Sequence, residues 1–353
     1  MGMPNELRAA IEKLAAPLSG TTLARAAREL TGTYQYAVPG LRPAGAPVQP
    51  EPRREGRDLK LTAEQKLAYL VVRVPATFAA CAHALREVCE RVPEFTPKTL
   101  LDLGAGPGTA SWAAAEAFPS IENITLAERD AGMIELGQKL AAVSSASALR
   151  SAEWLRRDLV SGVPEGNWDL VIASYAVGEL TRPAAASFIA QAWKASIGVL
   201  LLVEPGTHPG FAVIERARTQ LIAAGAELAA PCPHMAACPM TTAPKPGSPV
   251  VDSPAVDNKD WCHFSERLER SAAHRRAKGG ELAYEDEKFS YIAASRIAPT
   301  RARLRIVRHP QRKPGHVILE LCTNDGLKRQ TIGKSNKEAW RAARKADWGD
   351  AWE

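Results

Sequence analysis

Apolar positions fall into two alternating spacings along the middle of the chain. Residues 99–103, Thr-Leu-Leu-Asp-Leu, form a nearly continuous apolar run; a glycine-rich stretch follows at 104–108, and helical spacing takes over at 110–118. The same alternation predicts strands at 124–128, 169–174 and 198–204 and helices at 131–142 and 184–195. Strands alternating with helices in this way build a parallel, doubly wound sheet. Ahead of it, residues 6–30 read as two helices broken at Ser19-Gly20, 38–52 as a Pro/Gly-rich arm, and 62–91 as helical spacing interrupted at Pro75. After Gly225 the pattern stops. Residues 231–254 are Pro-, Cys- and Thr-rich and read as a loop-like insertion, 265–278 as a charged helix, and 288–295 as a strand. Segments 303–307, 317–322 and 327–332 predict a small antiparallel meander, its last two strands joined at Asn324-Asp325-Gly326, before a closing helix at 335–346. The expected organisation is therefore 1–60 (helices and linker), 61–225 (doubly wound domain) and 226–353 (a C-terminal region of different character).

Composition adds three constraints. At 353 residues with 46% hydrophobic and 24% charged side chains, the chain can bury one large core and a smaller one. No apolar run approaches the ~20 residues of a membrane helix, so no membrane partner is expected. Residues 1–18 carry mixed charge without an apolar signal core. Six cysteines in such a chain suggest free thiols or a metal site in a reducing compartment, and the expected localisation is cytoplasmic. The net charge of +6 is uneven, since residues 263–345 hold 20 Lys or Arg against 9 Asp or Glu, +11, leaving −5 for the remainder. Residues 296–313 have seven basic side chains and no acidic one. A polyanionic partner, a phosphate backbone first, follows from that imbalance.

The glycine stretch carries the clearest chemistry. Asp102-Leu103-Gly104-Ala105-Gly106-Pro107-Gly108 follows a strand and opens a helix, the setting in which backbone approaches a nucleotide-like ligand closely. The third glycine comes one residue early for a dinucleotide fingerprint, and Asp102 would repel a pyrophosphate but suits the cationic amino end of S-adenosylmethionine. Glu128 closes the second strand where an acidic side chain accepts ribose hydroxyls, and Asp158 precedes the fourth strand, where a residue meets the adenine amino group. The candidate cofactor-binding set is Asp102, Gly104, Ala105, Gly106, Gly108, Glu128 and Asp158. The fold class expected is α/β: a class I S-adenosylmethionine-dependent methyltransferase with a Rossmann-like doubly wound sheet, N-terminal helices and a cysteine-containing, basic, β-rich C-terminal extension. No catalytic residue is assigned. Residues 173–176 read Ala-Ser-Tyr-Ala in place of the Asn/Asp-Pro-Pro-aromatic signature of exocyclic-amine methylation, and 173–206 contains no cysteine nucleophile. Tyr175 and Glu179 are the nearest positioning candidates.

Cys232, Cys238, Cys262 and Cys322 gather in the basic half of the chain, three of them in loop-like sequence. Four thiolates complete the shell of an iron–sulfur cluster or of a tetrahedral zinc ion; the lack of a C-x2-C pair favours the cluster without settling it, and His234 and His263 remain candidate substitutes. Cys81 and Cys89 lie in helical, apolar sequence and read as core thiols.

Several of these segments taken together, 101–110, Val203-Glu204-Pro205-Gly206, Cys232-Pro233-His234 with Cys238-Pro239, Trp261-Cys262-His263-Phe264 and 284–291, resemble the mitochondrial-type small ribosomal subunit assembly family that includes methyltransferase-like protein 17 and its bacterial counterparts. The resemblance runs from about residue 61 to the Trp348-Gly349-Asp350 tail. It implies a methyltransferase fold that acts on, or docks to, small-subunit ribosomal RNA in the assembling subunit, and a four-iron four-sulfur cluster on Cys232, Cys238, Cys262 and Cys322. Three functions are consistent with the sequence: an assembly factor that grips rRNA through 296–313, an active rRNA methyltransferase, and a small-molecule methyltransferase with zinc in place of the cluster.

Overall fold

The computed structural model describes residues 2–37, 61–240 and 261–353; the arm expected at 38–52 and residues 241–254 of the expected insertion lie outside them. Helices α1 (Asn5–Ala15) and α2 (Gly20–Ala37) precede α3 (Ala63–Val72) and α4 (Val74–Arg91). Thr62 starts α3 with a capping box, accepting from the Gln65 amide while the Gln65 side chain accepts from its own. Pro75 sits in the first turn of α4, where a missing N–H costs nothing, and the two helices meet at a 44° bend. Among the described residues no single helix is long and apolar enough to cross a membrane. The apolar surface of α4 is spent in the core, where Phe78, Cys81, Leu85 and Val88 are fully buried.

The main sheet comprises β1 (Thr99–Leu103), β2 (Asn123–Glu128), β3 (Glu153–Arg156), β4 (Trp168–Ser174), β5 (Ser196–Pro205), β6 (Glu227–Ala230), β7 (Phe264–Glu269) and β8 (Tyr284–Ser295). The helices between them are α5 (Thr109–Ala117), α6 (Ala131–Ala141), α7 (Ser147–Arg150), α8 (Arg182–Ala195), α9 (His208–Ala223) and α10 (Ala272–Lys278). Strand order is β3-β2-β1-β4-β5-β8-β6, with β1 to β5 parallel and β8 running antiparallel to its neighbours. This is the class I methyltransferase arrangement. The unbroken apolar run of β5 follows from burial on both faces: Val199, Leu201 and Val203 join the core beneath the N-terminal helices, while Leu200 and Leu202 join the core with Phe188, Ile214 and Leu221 of α8 and α9. Fully burying each such side chain contributes roughly 1.5–3 kcal/mol.

A smaller antiparallel sheet holds β9 (Leu304–Ile306), β10 (Gln311–Lys313), β11 (His316–Thr323), β12 (Gly326–Gly333) and β13 (Ala351–Trp352), with α11 (Lys337–Lys345) packed on one face. The expected meander is present, and β10 and β13 extend it.

Three features differ from the expectation. The sheet does not end at residue 225, since β6, β7 and β8 all join it, so the boundary expected at 226 falls inside the doubly wound unit. The charged segment 265–278 is not one helix. Its first half is β7, held against the charged half of β8 with Arg267 directly opposite Asp286 and paired to it at 2.8 Å, and only 272–278 is helical. Dense Arg and Glu read as a helical surface, whereas here they are a cross-strand pair. Helix α9 was not foreseen, although Thr207 caps it, Pro209 lies in its first turn, and Phe211, Ile214, Ala217 and Leu221 bury one helical face.

Candidate cofactor pocket and thiol cavity

The carboxyl ends of β1, β2, β4 and β5 converge on the glycine loop, the edge of an open α/β sheet where ligands bind. Gly104 (φ 69°), Gly106 (φ 56°) and Gly108 (φ 81°) all take left-handed backbone, and Gly108 caps α5. A Cβ on Gly104 would lie 2.8 Å from the Ala176 methyl, so only glycine fits between β1 and the segment after β4. Ala105 is buried between them. Glu128 holds the loop: Oε2 accepts from the Gly106 amide at 2.9 Å and Oε1 from the Asp130 amide at 2.8 Å.

Asp102 is fully buried, with Oδ2 accepting from the Ser111 amide (3.1 Å) and hydroxyl (2.8 Å), while Oδ1 has no partner. Burial pushes this carboxyl up to about 7, against the pull of the Ser111 hydrogen bonds. Asp158 stands at the rim, where Oδ1 accepts from the Val160 amide at 3.0 Å and Oδ2 lies 3.7 Å from Arg129 Nη1. Arg129 also lies 4.0 Å from Glu179, which places Glu179 on that exposed rim.

A second polar group lies next to the loop. Tyr175 is the single non-glycine residue with positive φ (55°) among the described residues, a strained position of the kind found at functional sites. Its hydroxyl donates to Glu287 Oε1 at 2.9 Å; Arg73 pairs with the same carboxylate at 3.1 Å and stands 5.4 Å from the Tyr175 ring centroid. The tyrosine proton is held well above its ordinary range, by burial first and the Glu287 charge second. Glu204, at the end of β5, accepts from the Val177 and Gly178 amides at 2.9 and 3.2 Å, and burial raises it to about 8. Arg73 was not singled out from sequence, and Glu204 and Glu287 entered only as members of motif segments with no role assigned; a glutamate ending the apolar β5 run was the available signal for Glu204.

Cys232, Cys238, Cys262 and Cys322 all line one small cavity, part of it open to solvent, together with His234, Arg218 and Arg305. The thiols arrive from three places: the loop after β6, the entry to β7, and β11 of the small sheet. Arg218 of α9 fixes the first loop, donating through Nε to Cys232 Sγ (3.3 Å) and through Nη2 to the His234 and Ala236 carbonyls. Ser290 of β8 donates to the Cys262 carbonyl at 2.8 Å. Cys322 Sγ stands 3.4 Å from His234 Nε2. Burial, then the neighbouring thiols, pushes Cys238 up to about 11 and Cys322 to about 12, and holds Cys262 well above its ordinary range. His263 is buried and hydrogen-bonds the Trp261 carbonyl at 3.0 Å. Among the described residues no three His, Cys, Asp or Glu side chains stand in a group that could hold a metal ion. One zinc ion at ~2.3 Å from each sulfur requires the thiols drawn tightly together. Cys81 is buried in the core and Cys89 donates weakly to the Ala117 carbonyl at 3.7 Å, both remote from this cavity's lining.

Within the basic run 296–313, Arg303 and Lys313 are exposed, while most of the other cations are engaged inside the fold. Arg296 donates to the Ser196 and Trp193 carbonyls, Arg301 binds the Leu228 carbonyl and Glu227, and Arg308 donates to the Trp261 carbonyl. Arg312 closes the end of α11 through the Arg344 and Ala346 carbonyls. Arg305 is 2% exposed and ion-paired with Glu87 at 2.7 Å. Guanidinium groups stitch loops together here by satisfying buried carbonyls.

A family model described as mitochondrial small ribosomal subunit Rsm22 matches residues 63–353, spanning the sheet, the glycine loop and all four cavity cysteines. The chain belongs to the Rsm22 family. Among curated relatives, the human mitochondrial ribosome assembly protein METTL17 is 28% identical over 312 residues, 83% of this chain and 64% of that protein. The mitochondrial Rsm22-cox11 tandem protein 2 of Schizosaccharomyces pombe is 25% identical over 346 residues, 87% of this chain and 45% of that protein. The chain thus spans less than two thirds of these relatives' own lengths. Among solved structures, a putative RNA methyltransferase from Pyrococcus horikoshii is 14% identical with a TM-score of 0.38, covering 64% of this chain and 85% of its own. The magnesium protoporphyrin IX methyltransferase of Synechocystis PCC 6803 with bound S-adenosylmethionine is 12% identical at 0.39, covering 66% and 83%. The Rsm22 relatives correct the cytoplasmic expectation: both are named as mitochondrial proteins. Free thiols and a reducing setting do not separate cytoplasm from the interior of an organelle, so composition carried no information on that choice.

Proposed function

We propose that this Rsm22-family chain is an S-adenosylmethionine-binding, methyltransferase-like factor that docks to small-subunit ribosomal RNA during assembly in a mitochondrial-type setting, with an iron–sulfur cluster held by Cys232, Cys238, Cys262 and Cys322. The observation that carries this reading is the shared cavity of the four thiols, which lies at the seam between the main sheet and the small basic sheet. The donor set fits a cluster. Four sulfurs provide the complete ligand complement, and the buried guanidinium groups of Arg218 and Arg305 offset the negative charge that thiolate ligation brings into a low-dielectric site. Within the seam, Arg218 sets the Cys232–Cys238 loop, Ser290 sets Cys262, and β11 delivers Cys322.

The glycine loop likewise fits S-adenosylmethionine, which supplies an activated methyl group when bound. Gly106 leaves room for close backbone approach, Glu128 faces the loop where a ribose would lie, and the unpaired Oδ1 of Asp102 offers a buried negative charge for a cationic amino group. Asp158 marks the adenine side of the rim. An active rRNA methyltransferase is the second reading, favoured by the strained Tyr175 beside the loop, whose hydroxyl is held by Glu287.

Anaerobic purification tests the first reading. The chain is expected to be brown, with about four irons per polypeptide, and Cys232→Ser or Cys322→Ser is expected to bleach it. Stoichiometric zinc in place of iron, or iron unchanged in both variants, would overturn the assignment.

A further inference from the structure

The C-terminal segment that follows the carbonyl-bound arginines carries a second set of basic residues, and these face solvent along one strand and the helix that follows it. Lys328, Arg329, Lys334, Lys337, Arg341, Arg344 and Lys345 are all exposed, and Glu338 is the single acidic residue between positions 326 and 345. Helix α11 explains how this comes about. Asn336 caps it, with its side chain accepting from the Ala339 amide at 3.1 Å; Ala339, Trp340, Ala343 and Ala346 pack on the small sheet beside Ile332 and Leu319. With those positions facing inward, Lys337, Arg341 and Lys345 recur every fourth residue along the outward face. Helical rise places them about 6 Å apart, comparable to the separation of successive phosphates on a nucleic-acid strand. Lys334 and Arg344 stand 5.6 and 5.0 Å from the Trp340 ring centroid and border the stripe.

We propose that the outward face of α11, with Lys334 and Arg344 at its border and Lys328 beside it on β12, is the surface through which the chain grips the phosphate backbone of helical RNA. This rests on the assembly-factor reading and assigns its contact surface to residues 328–345 in place of 296–313. The charge complementarity is that of a backbone reader: long cationic side chains at a regular spacing, with no acidic row between them. A lipid surface fits less well, because α11 exposes no large apolar side chain to insert. The face also sits on the small sheet whose Cys322 lines the thiol cavity, so closure of that seam fixes where the stripe lies relative to the main sheet.

The test compares the full-length chain with Lys337→Glu/Arg341→Glu/Lys345→Glu and with a control of equal charge change on exposed positions elsewhere, Lys13→Glu/Arg28→Glu/Lys194→Glu. Binding of a labelled hairpin RNA is measured by anisotropy between about 50 and 200 mM salt, with melting curves recorded for all three proteins. The α11 variant is expected to melt like the parent, to lose about tenfold or more in affinity, and to show a salt slope shallower by about 2 to 3; the control should stay within about twofold. Equal losses in both variants, unchanged RNA binding by the α11 variant, or tighter binding to phosphatidylserine vesicles than to RNA would each overturn the surface assignment. Co-sedimentation with small ribosomal subunits is read in parallel: if the α11 variant still co-sediments, the surface is wrong and the assembly-factor reading stands, whereas loss by parent and variant alike removes the reading itself.

Discussion

Asp102 carries an energetic conflict that makes sense for a binding residue. A carboxylate sealed under the glycine loop with one oxygen unpaired holds its proton up to about 7, against an ordinary value of 3.8, because burial penalises the charged form. A folded-state value raised above the unfolded one means the folded chain binds more protons between those limits. Stability is therefore given up as pH rises from about 4 to 7, by an amount on the order of 4 kcal/mol at its ceiling. Asp102→Asn keeps an acceptor for Ser111 and removes the charge. In thermal melts it should stabilise the ligand-free chain at pH 8, with the gain shrinking as the pH is lowered toward 4; a melting difference independent of pH would contradict this account. The carboxylate beside the glycine turn was legible in the sequence, where its charge argued against a pyrophosphate. Its burial state was not, because that depends on Ser111 and on the packing of α5.

At the scale of elements, Arg305 of β9 ties the small sheet to the rest of the fold. It pairs with Glu87 on α4, donates to the Pro231 carbonyl at 2.8 Å beside the thiol loop, and donates to the Gly349 carbonyl at 2.7 Å in the C-terminal tail. Breaking a buried pair leaves a stranded charge. Arg305→Ala should cost about 3–5 kcal/mol in urea unfolding, and the double variant Arg305→Met/Glu87→Gln should recover much of it; additive losses would show that the pair is not coupled. Helices and central strands with strong periodicity were readable in advance, β1, β2, β4 and β5 within one or two residues. The elements that escaped were those whose pattern is set by a partner far away in sequence. Strand β7 exists because β8 supplies Asp286 and Phe289 across from Arg267 and Phe264, and the arginines of 296–313 bind carbonyls that no local pattern reveals.

For the whole molecule, two sheets share one seam. The main sheet presents the glycine loop at its carboxyl edge, the small sheet carries a cationic helix, and the four cysteines that were grouped from sequence do meet in one cavity between them. Loss of any group bridging that cavity should loosen the small sheet first. Proteolysis of Cys322→Ser is accordingly expected to release a fragment beginning near residue 296 while the main sheet survives; digestion at the parent rate would contradict this. The most direct test of the central claim is calorimetric titration of S-adenosylmethionine into the purified chain and its Glu128→Ala variant. One molecule bound per chain, with affinity reduced about tenfold or more in the variant, is the predicted result. No heat from the parent chain, or equal affinity in both proteins, would contradict it.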